Sequence, residues 1–173
     1  MSGEGSRVIR KSSVRASQDL RDLIQGVLVA ELLNPSKEFW LISPWVSDVA
    51  VIDNSDGSFS GLDPSWPSRE LGLAEVLARL TRVGTEVRVD VRPIDHNKVF
   101  LDRLDHAATP GRLKVRVSPV LHEKGMLADG FVISGSMNFT QNGLNLLDEV
   151  VRLDVAPDTV AQARLDFLAR WNS

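Results

Sequence analysis

Apolar residues recur along this chain with two different periods, and the switches between them mark out its elements. Leu20, Leu23, Ile24, Val27, Leu28 and Leu32 fall at helical spacing, with Ser17 placed to cap the N-terminus and Asn34-Pro35-Ser36 to stop the helix. Residues 38–43 (EFWLIS) are a short apolar run ended by Pro44, which reads as a buried strand. Leu73, Val76, Leu77, Leu80 and Val83 restore the helical period, with Ser68 before them and Gly84 after. Residues 86–92 (EVRVDVR) alternate strictly, residues 95–107 return to a helix, and residues 113–118 (LKVRVS) alternate again. Further on, residues 140–147 read as a turn or short helix and residues 149–155 (EVVRLDV) as a strand. Residues 157–171 form a closing helix expected to bury Val160, Ala163, Phe167, Leu168 and Trp171. Alternation of β and α through the first two thirds predicts an α/β fold, a layered sheet with helices on both faces.

Two stretches lack either period. Residues 1–15 are Gly/Ser-rich at the start and carry Arg7, Arg10 and Lys11, which reads as a flexible arm ahead of a single domain over residues 16–173. Residues 47–67 hold Asp48, Asp53, Asp56, Asp63 and Trp66 among serines, glycines and prolines. So long an irregular segment in a compact domain is expected to be a mobile or functional cover. Its DNSDG run lacks the later glutamate of a calcium loop, so no EF-hand is expected. Trp45, just after the stop at Pro44, is expected to pack, or else to line the rim of a site above the strand's C-terminal end.

The remaining stretch, from His122 to Glu149, concentrates chemistry. Asp129-Gly130 between apolar runs signals a two-residue type I′ hairpin, with residues 120–128 and 131–134 as its strands. Side chains alternate faces, so His122, Lys124, Met126 and Ala128 share one. Pairing Ala128 with Phe131 sets Lys124 opposite Gly135, where a glycine leaves open space, and Ser136 and Asn138 lie just beyond. An imidazole, an ammonium, a hydroxyl and an amide then converge on a volume suited to an oxyanion or a phosphate.

Composition adds bounds. With 173 residues, 43% hydrophobic and 25% charged, the chain has enough apolar surface for one core. A formal net charge of −3 provides no global attraction for a polyanion. There is no cysteine, hence no thiolate nucleophile or Cys-based zinc site. No secretory signal and no apolar run of bilayer length is apparent, so a cytoplasmic protein without membrane association is expected. No set of His, Asp and Glu falls at metal-ligand spacing, so no metal or cofactor is expected, and a phosphate's charge must be met by organic cations and amides.

His122-x-Lys124, four residues, Asp129, then Gly135-Ser136-x-Asn138 resembles the HKD signature of the phospholipase D superfamily. The interval from Asp129 to Gly135 is five residues, where the family usually has six, and Gly125 stands where a bulky apolar residue is common. Glu149, opening the next strand, also fits. The resemblance implies a mixed β-sheet flanked by helices on both faces and a metal-independent phosphodiesterase. His122 would attack phosphorus, giving a phosphohistidine that water or an alcohol resolves, with Glu149 holding the other ring nitrogen. Lys124, Ser136 and Asn138 would bind the phosphate, with Trp45 on the rim. Asp129, about five strand residues or ~17 Å from Lys124, reads as a turn former. Such sites use two motifs and a second histidine as acid, and this chain has one motif, so a homodimer sharing its active site is expected. Of the other histidines, His96 in His96-Asn97-Lys98 sits on the predicted helix with no Gly-Ser-x-Asn after it and reads as a decoy, while His106 suits a helix C-terminus. Short single-motif relatives imply a nuclease, related to restriction enzymes and in some cases accompanying partner proteins of DNA-modification or phage-defence systems. A phospholipid-acting enzyme and a nucleic-acid-binding subunit without turnover are the alternatives.

Overall fold

A computed structural model describes residues 5–11, 14–145 and 149–173. Among these, Glu38–Ile42 (β2), Glu86–Val91 (β5) and Leu113–Val117 (β6) lie parallel, in the order β2-β5-β6. Gly125–Leu127 (β7), Val132–Gly135 (β8), Glu149–Asp154 (β9) and Ser6–Lys11 (β1) extend the sheet antiparallel from the other edge of β2, completing seven strands in the order β1-β9-β8-β7-β2-β5-β6. Helices α1 (Val14–Leu33), α2 (Leu73–Arg82) and α3 (Lys98–Ala107) pack Leu20, Ile24, Leu28, Leu77 and Phe100 against one face, where Phe39, Leu41, Met126 and Ile133 point. Helix α5 (Pro157–Trp171) covers the other face, placing Val160 and Phe167 on Trp40, Ile42, Leu127 and Val132. Alternate residues of β2 thus enter two cores, and the run Phe39–Ile42 is apolar throughout because both of its faces are covered. The expected mixed α/β sheet with helices on both faces is the architecture found.

Several local expectations are corrected by long-range contacts. Within the segment read as a flexible arm, Ser6–Lys11 is a strand: β9 presents an open edge, and Ile9 buries its side chain against the core. Residues 47–67 are not wholly irregular, since Ala50–Asp53 (β3) pairs with Glu70–Gly72 (β4) and buries Val51 and Ile52. Between these strands Asp53, Asp56 and Asp63 accept backbone N–H groups two residues on, which makes them turn formers. Helix α2 is capped not by Ser68 but by Glu75, which reaches back to the N–H of Gly72, while Asp48 takes the N–H of Ala74. Helix α1 begins at Val14, so Ser17 lies inside it. The predicted helix over 95–107 opens as a 3-10 turn, Asp95–Asn97. Helix α4 spans Gln141–Asn145, and residues 146–148 of the predicted 140–147 turn lie outside those described.

The hairpin keeps its predicted register: Gly125 pairs with Ser134 and Leu127 with Val132, and the N–H of Ala128 donates to the carbonyl of Phe131. The turn type differs. Neither Asp129 nor Gly130 has positive φ, so it is not type I′. Asp129 is held from outside instead: its carboxylate takes the N–H of Lys37 at 3.0 Å and Arg164 of α5 at 2.9 Å, and its own N–H donates to the Ser36 hydroxyl. Asp129 is therefore a structural residue, tying the turn to β2 and α5.

Two glycines set how closely these strands approach. A Cβ at Gly125 would sit 2.4 Å from the carbonyl oxygen of Ile133, and one at Gly135, where φ is +150°, 2.0 Å from that of Val150. Gly135→Ala is expected to destabilise the fold by roughly 2 kcal/mol or more, whereas Gly130→Ala, with nothing within 4 Å, should stay within about 0.5 kcal/mol of the parent in urea denaturation.

Candidate active site

Parallel strands β2, β5 and β6 all finish at one end of the sheet, the end at which β7 and β9 begin and β8 stops. Ligands in open α/β sheets bind outside the carboxyl ends of strands, and every motif residue except Asp129, which lies at the hairpin turn, is at this end.

His122 does not lie on a strand, because β7 starts only at Gly125. Three contacts determine where it sits. The Leu121 side chain is buried on the α5 face, and its carbonyl accepts the Nε of Arg92 at 2.7 Å. Glu123 pairs with Arg170 of α5. With both neighbours tied inward, the intervening His122 ring turns out to solvent. There it meets the Nη2 of Arg92, 3.0 Å from Nδ1 and 3.2 Å from Nε2. Lys124, half-buried, folds its Nζ back to the His122 carbonyl at 2.9 Å. Burial pushes the Glu123 carboxyl above the usual range despite Arg170, and it does the same to Asp90, which is buried under the end of β5 with the Ser118 hydroxyl donating to it at 2.7 Å.

Across the hairpin, the Ser136 hydroxyl donates to the buried Glu149 carboxylate and accepts the N–H of Val150 at 3.0 Å. Glu149 therefore does not hold the His122 ring as expected: strand pairing of β8 with β9 places the Ser136 hydroxyl against it, and Arg92 stands at the imidazole. The Ser136 proton is likewise committed to Glu149 rather than offered to a ligand. Gly135 provides no open space beside Lys124, since the carbonyl of Val150 fills it. Asn138 is half-buried, with an amide oxygen that has no partner among the described residues. The loop after it is fixed by Phe139, whose N–H donates to the Ser43 hydroxyl and whose carbonyl accepts the N–H of Ser47.

Trp45 is 50% exposed at the end of β2, a rim position rather than a packed one. His96 is at this end too, with its Nε2 2.8 Å from the Ser47 hydroxyl, and the Asn97 amide beside it bridges Val46, Pro44 and Arg92. His106 is exposed in the last turn of α3. Among the described residues, no group of three or more His, Asp and Glu is placed to share a metal ion, and no helix is long and apolar enough to cross a membrane. Arg92 is the residue that pattern reading missed. Its signal was position, the last alternating residue of a parallel strand.

The sequence model of the family described as "Cardiolipin synthase, PLD-like domain" matches residues 28–171. No curated protein matches the chain. In fold the chain is similar to NucT from Helicobacter pylori, at 13% identity over 97% of this chain and 96% of that one, with a TM-score of 0.68. It is also similar to Nuc from Salmonella typhimurium, a phospholipase D family member, at 12% identity over 96% and 93% of the two chains, TM-score 0.63. The archaeal chromatin protein TrmBL2 is matched at 13% identity over 99% of this chain and 54% of that one, TM-score 0.57. Since the family match takes in β2, β5 and β7 to β9 together with every motif residue they carry, the chain belongs to the PLD-like domain family and so to the phospholipase D superfamily.

Proposed function

We propose that this protein is a phosphodiesterase that cleaves nucleic acid without a metal ion, through a phosphohistidine, at an active site completed by a second copy of the chain. The observation that carries the reading is the grouping of an exposed imidazole, His122, with the Lys124 ammonium, the half-buried Asn138 amide and the Ser136–Glu149 pair at the carboxyl end of one sheet. A lone pair on one ring nitrogen of His122 attacks phosphorus, a P–N bond forms, and the P–O bond to the leaving alkoxide breaks. The alkoxide takes its proton from a second imidazole. Water then attacks phosphorus, returning a proton to that imidazole as the P–N bond breaks. Lys124 and the Asn138 amide meet the charge on the phosphoryl oxygens, and Ser136 with Glu149 keeps the ends of β8 and β9 together beneath them. Trp45 offers an aromatic face on the rim for stacking a base.

The second imidazole is His122 of an identical chain, related by a two-fold axis that passes between the two rings. Nucleic acid is favoured as substrate by the resemblance of Nuc and NucT in fold over nearly their whole length. A role beside partner proteins of a defence or DNA-modification system is compatible with a net charge of −3, which leaves intrinsic attraction to a polyanion weak.

Replacing His122 with Ala is expected to lower cleavage of single- or double-stranded DNA or RNA by at least about a thousandfold, while EDTA leaves the parent unchanged. Activity lost on chelation contradicts the mechanism, and release of phospholipid head groups with no cleavage of nucleic acid moves the protein to the lipid-acting side of its superfamily. In sedimentation the parent should run as a dimer; a stable and fully active monomer overturns the shared site.

A further inference from the structure

Arg92 has a position and a set of contacts that the proposed chemistry has not used. It directly follows β5 at the end of the sheet that carries the motif, and its Nε is fixed on the Leu121 carbonyl. Its Nη2 lies against both nitrogens of the His122 ring, although a neutral imidazole has a single lone pair to accept with. Its Nη1 has no partner among the described residues. Arg88, Arg164 and Arg170 each reach a carboxylate, and Arg92 reaches none among the described residues. Asp90, two residues before it, is turned to Ser118, and Glu123, next to His122 in the chain, to Arg170. A half-buried guanidinium without a counter-ion, presenting one edge of its fork beside an exposed histidine, is a receptor for an oxyanion.

We infer that Arg92 is the second phosphate-binding cation of the site: it holds the His122 ring in the free protein and passes its Nη hydrogens to a non-bridging phosphoryl oxygen when the phosphodiester arrives. This inference rests on the proposed reading of the site as one for phosphodiesters. A guanidinium stays protonated throughout, so no proton moves in the exchange. An anionic oxygen is a stronger acceptor than a neutral ring nitrogen, so the phosphate draws Arg92 off the imidazole and frees the lone pair that attacks. The ring stays masked until there is a phosphorus atom for it to attack. Lys124 then holds one side of the phosphoryl group and Arg92 the other, the fork adding a directionality that an ammonium lacks.

The test compares R92Q and R92K with the parent, after thermal melting shows that each variant is folded. Three quantities are read: kcat/KM on an oligonucleotide, competitive inhibition by inorganic phosphate, and the slope of log affinity against log salt for single-stranded DNA, the last measured in a His122→Ala background to remove turnover. R92Q is expected to lower kcat/KM by about tenfold or more and to weaken phosphate inhibition about as much. Its salt slope should be shallower by about 0.7, the value of one phosphate contact on a single strand. R92K should keep the parent's slope and recover part of the affinity. If R92Q loses activity but keeps the parent's phosphate inhibition and salt slope, Arg92 only positions His122 and the inference is overturned. If R92Q matches the parent in all three while His122→Ala is inactive, the inference again fails and the reading of the site stands. A parent that cleaves no phosphodiester and is indifferent to phosphate removes both.

Discussion

The close approach of three strand backbones around Gly125 and Gly135 is the constraint on which the candidate site rests. His122 and Lys124 lie on the chain entering β7, Ser136 and Asn138 on the chain leaving β8, and Glu149 at the start of β9. These residues reach one end of the sheet because β7, β8 and β9 pair without a side chain between them at either glycine. Hydrogen bonding then finishes what sterics permit, with the Ser136 hydroxyl spanning β8 and β9 through Glu149 and the Val150 N–H. A rigid sheet end is a better platform for phosphate chemistry than a loop, since a displacement of an ångström costs much of the gain from orientation.

Charge is organised differently at the two ends of the sheet. At the hairpin turn, Arg164 joins Glu38 and Asp129, while Arg88 joins Glu38 and Glu86 and stacks over Trp40. Both of these arginines reach carboxylates, and they hold α5 to the strands, Arg164 from α5 itself and Arg88 by stacking under Trp171. At the motif end, the acids Asp90, Glu123 and Glu149 are turned inward to hydroxyls or to α5, while among the described residues Lys124 and Arg92 reach only carbonyls and the imidazole. A chain of net negative charge can thereby leave two cations without a carboxylate partner, among the described residues, at one end of its sheet.

Much of this was legible in the sequence because it is encoded locally. Strict alternation in EVRVDV and LKVRV and the two-residue gap at Asp129-Gly130 gave strands and register, and helical spacing gave α1, α2 and α5. What escaped depends on partners far along the chain. Nothing local announces that Lys37 and Arg164 will pin Asp129 and so change the turn type, or that Leu121 and Glu123 will be drawn inward and lift His122 off its strand. Strand β1 was hidden because SRVIRK carries only Val8 and Ile9 as apolar residues, and its pairing exists only once β9 is there to receive it. At the site the residue types and their order were readable, but the contact between Arg92 and His122 was not, since β5 meets the chain before β7 only after the sheet has formed.

The pairing of β1 with β9 also has a consequence for biogenesis. Strand β1 must wait for β9, far along the chain, before it gains a neighbour, whereas β2, β5 and β6 pair with one another in the order in which they are made. The parallel half can therefore consolidate during synthesis while the antiparallel half, which carries the candidate site, stays open, with the Val151 and Leu153 edge unprotected until the N-terminal segment folds back over it. The danger during synthesis therefore lies in aggregation at that open strand edge, which only the return of the N-terminal segment closes.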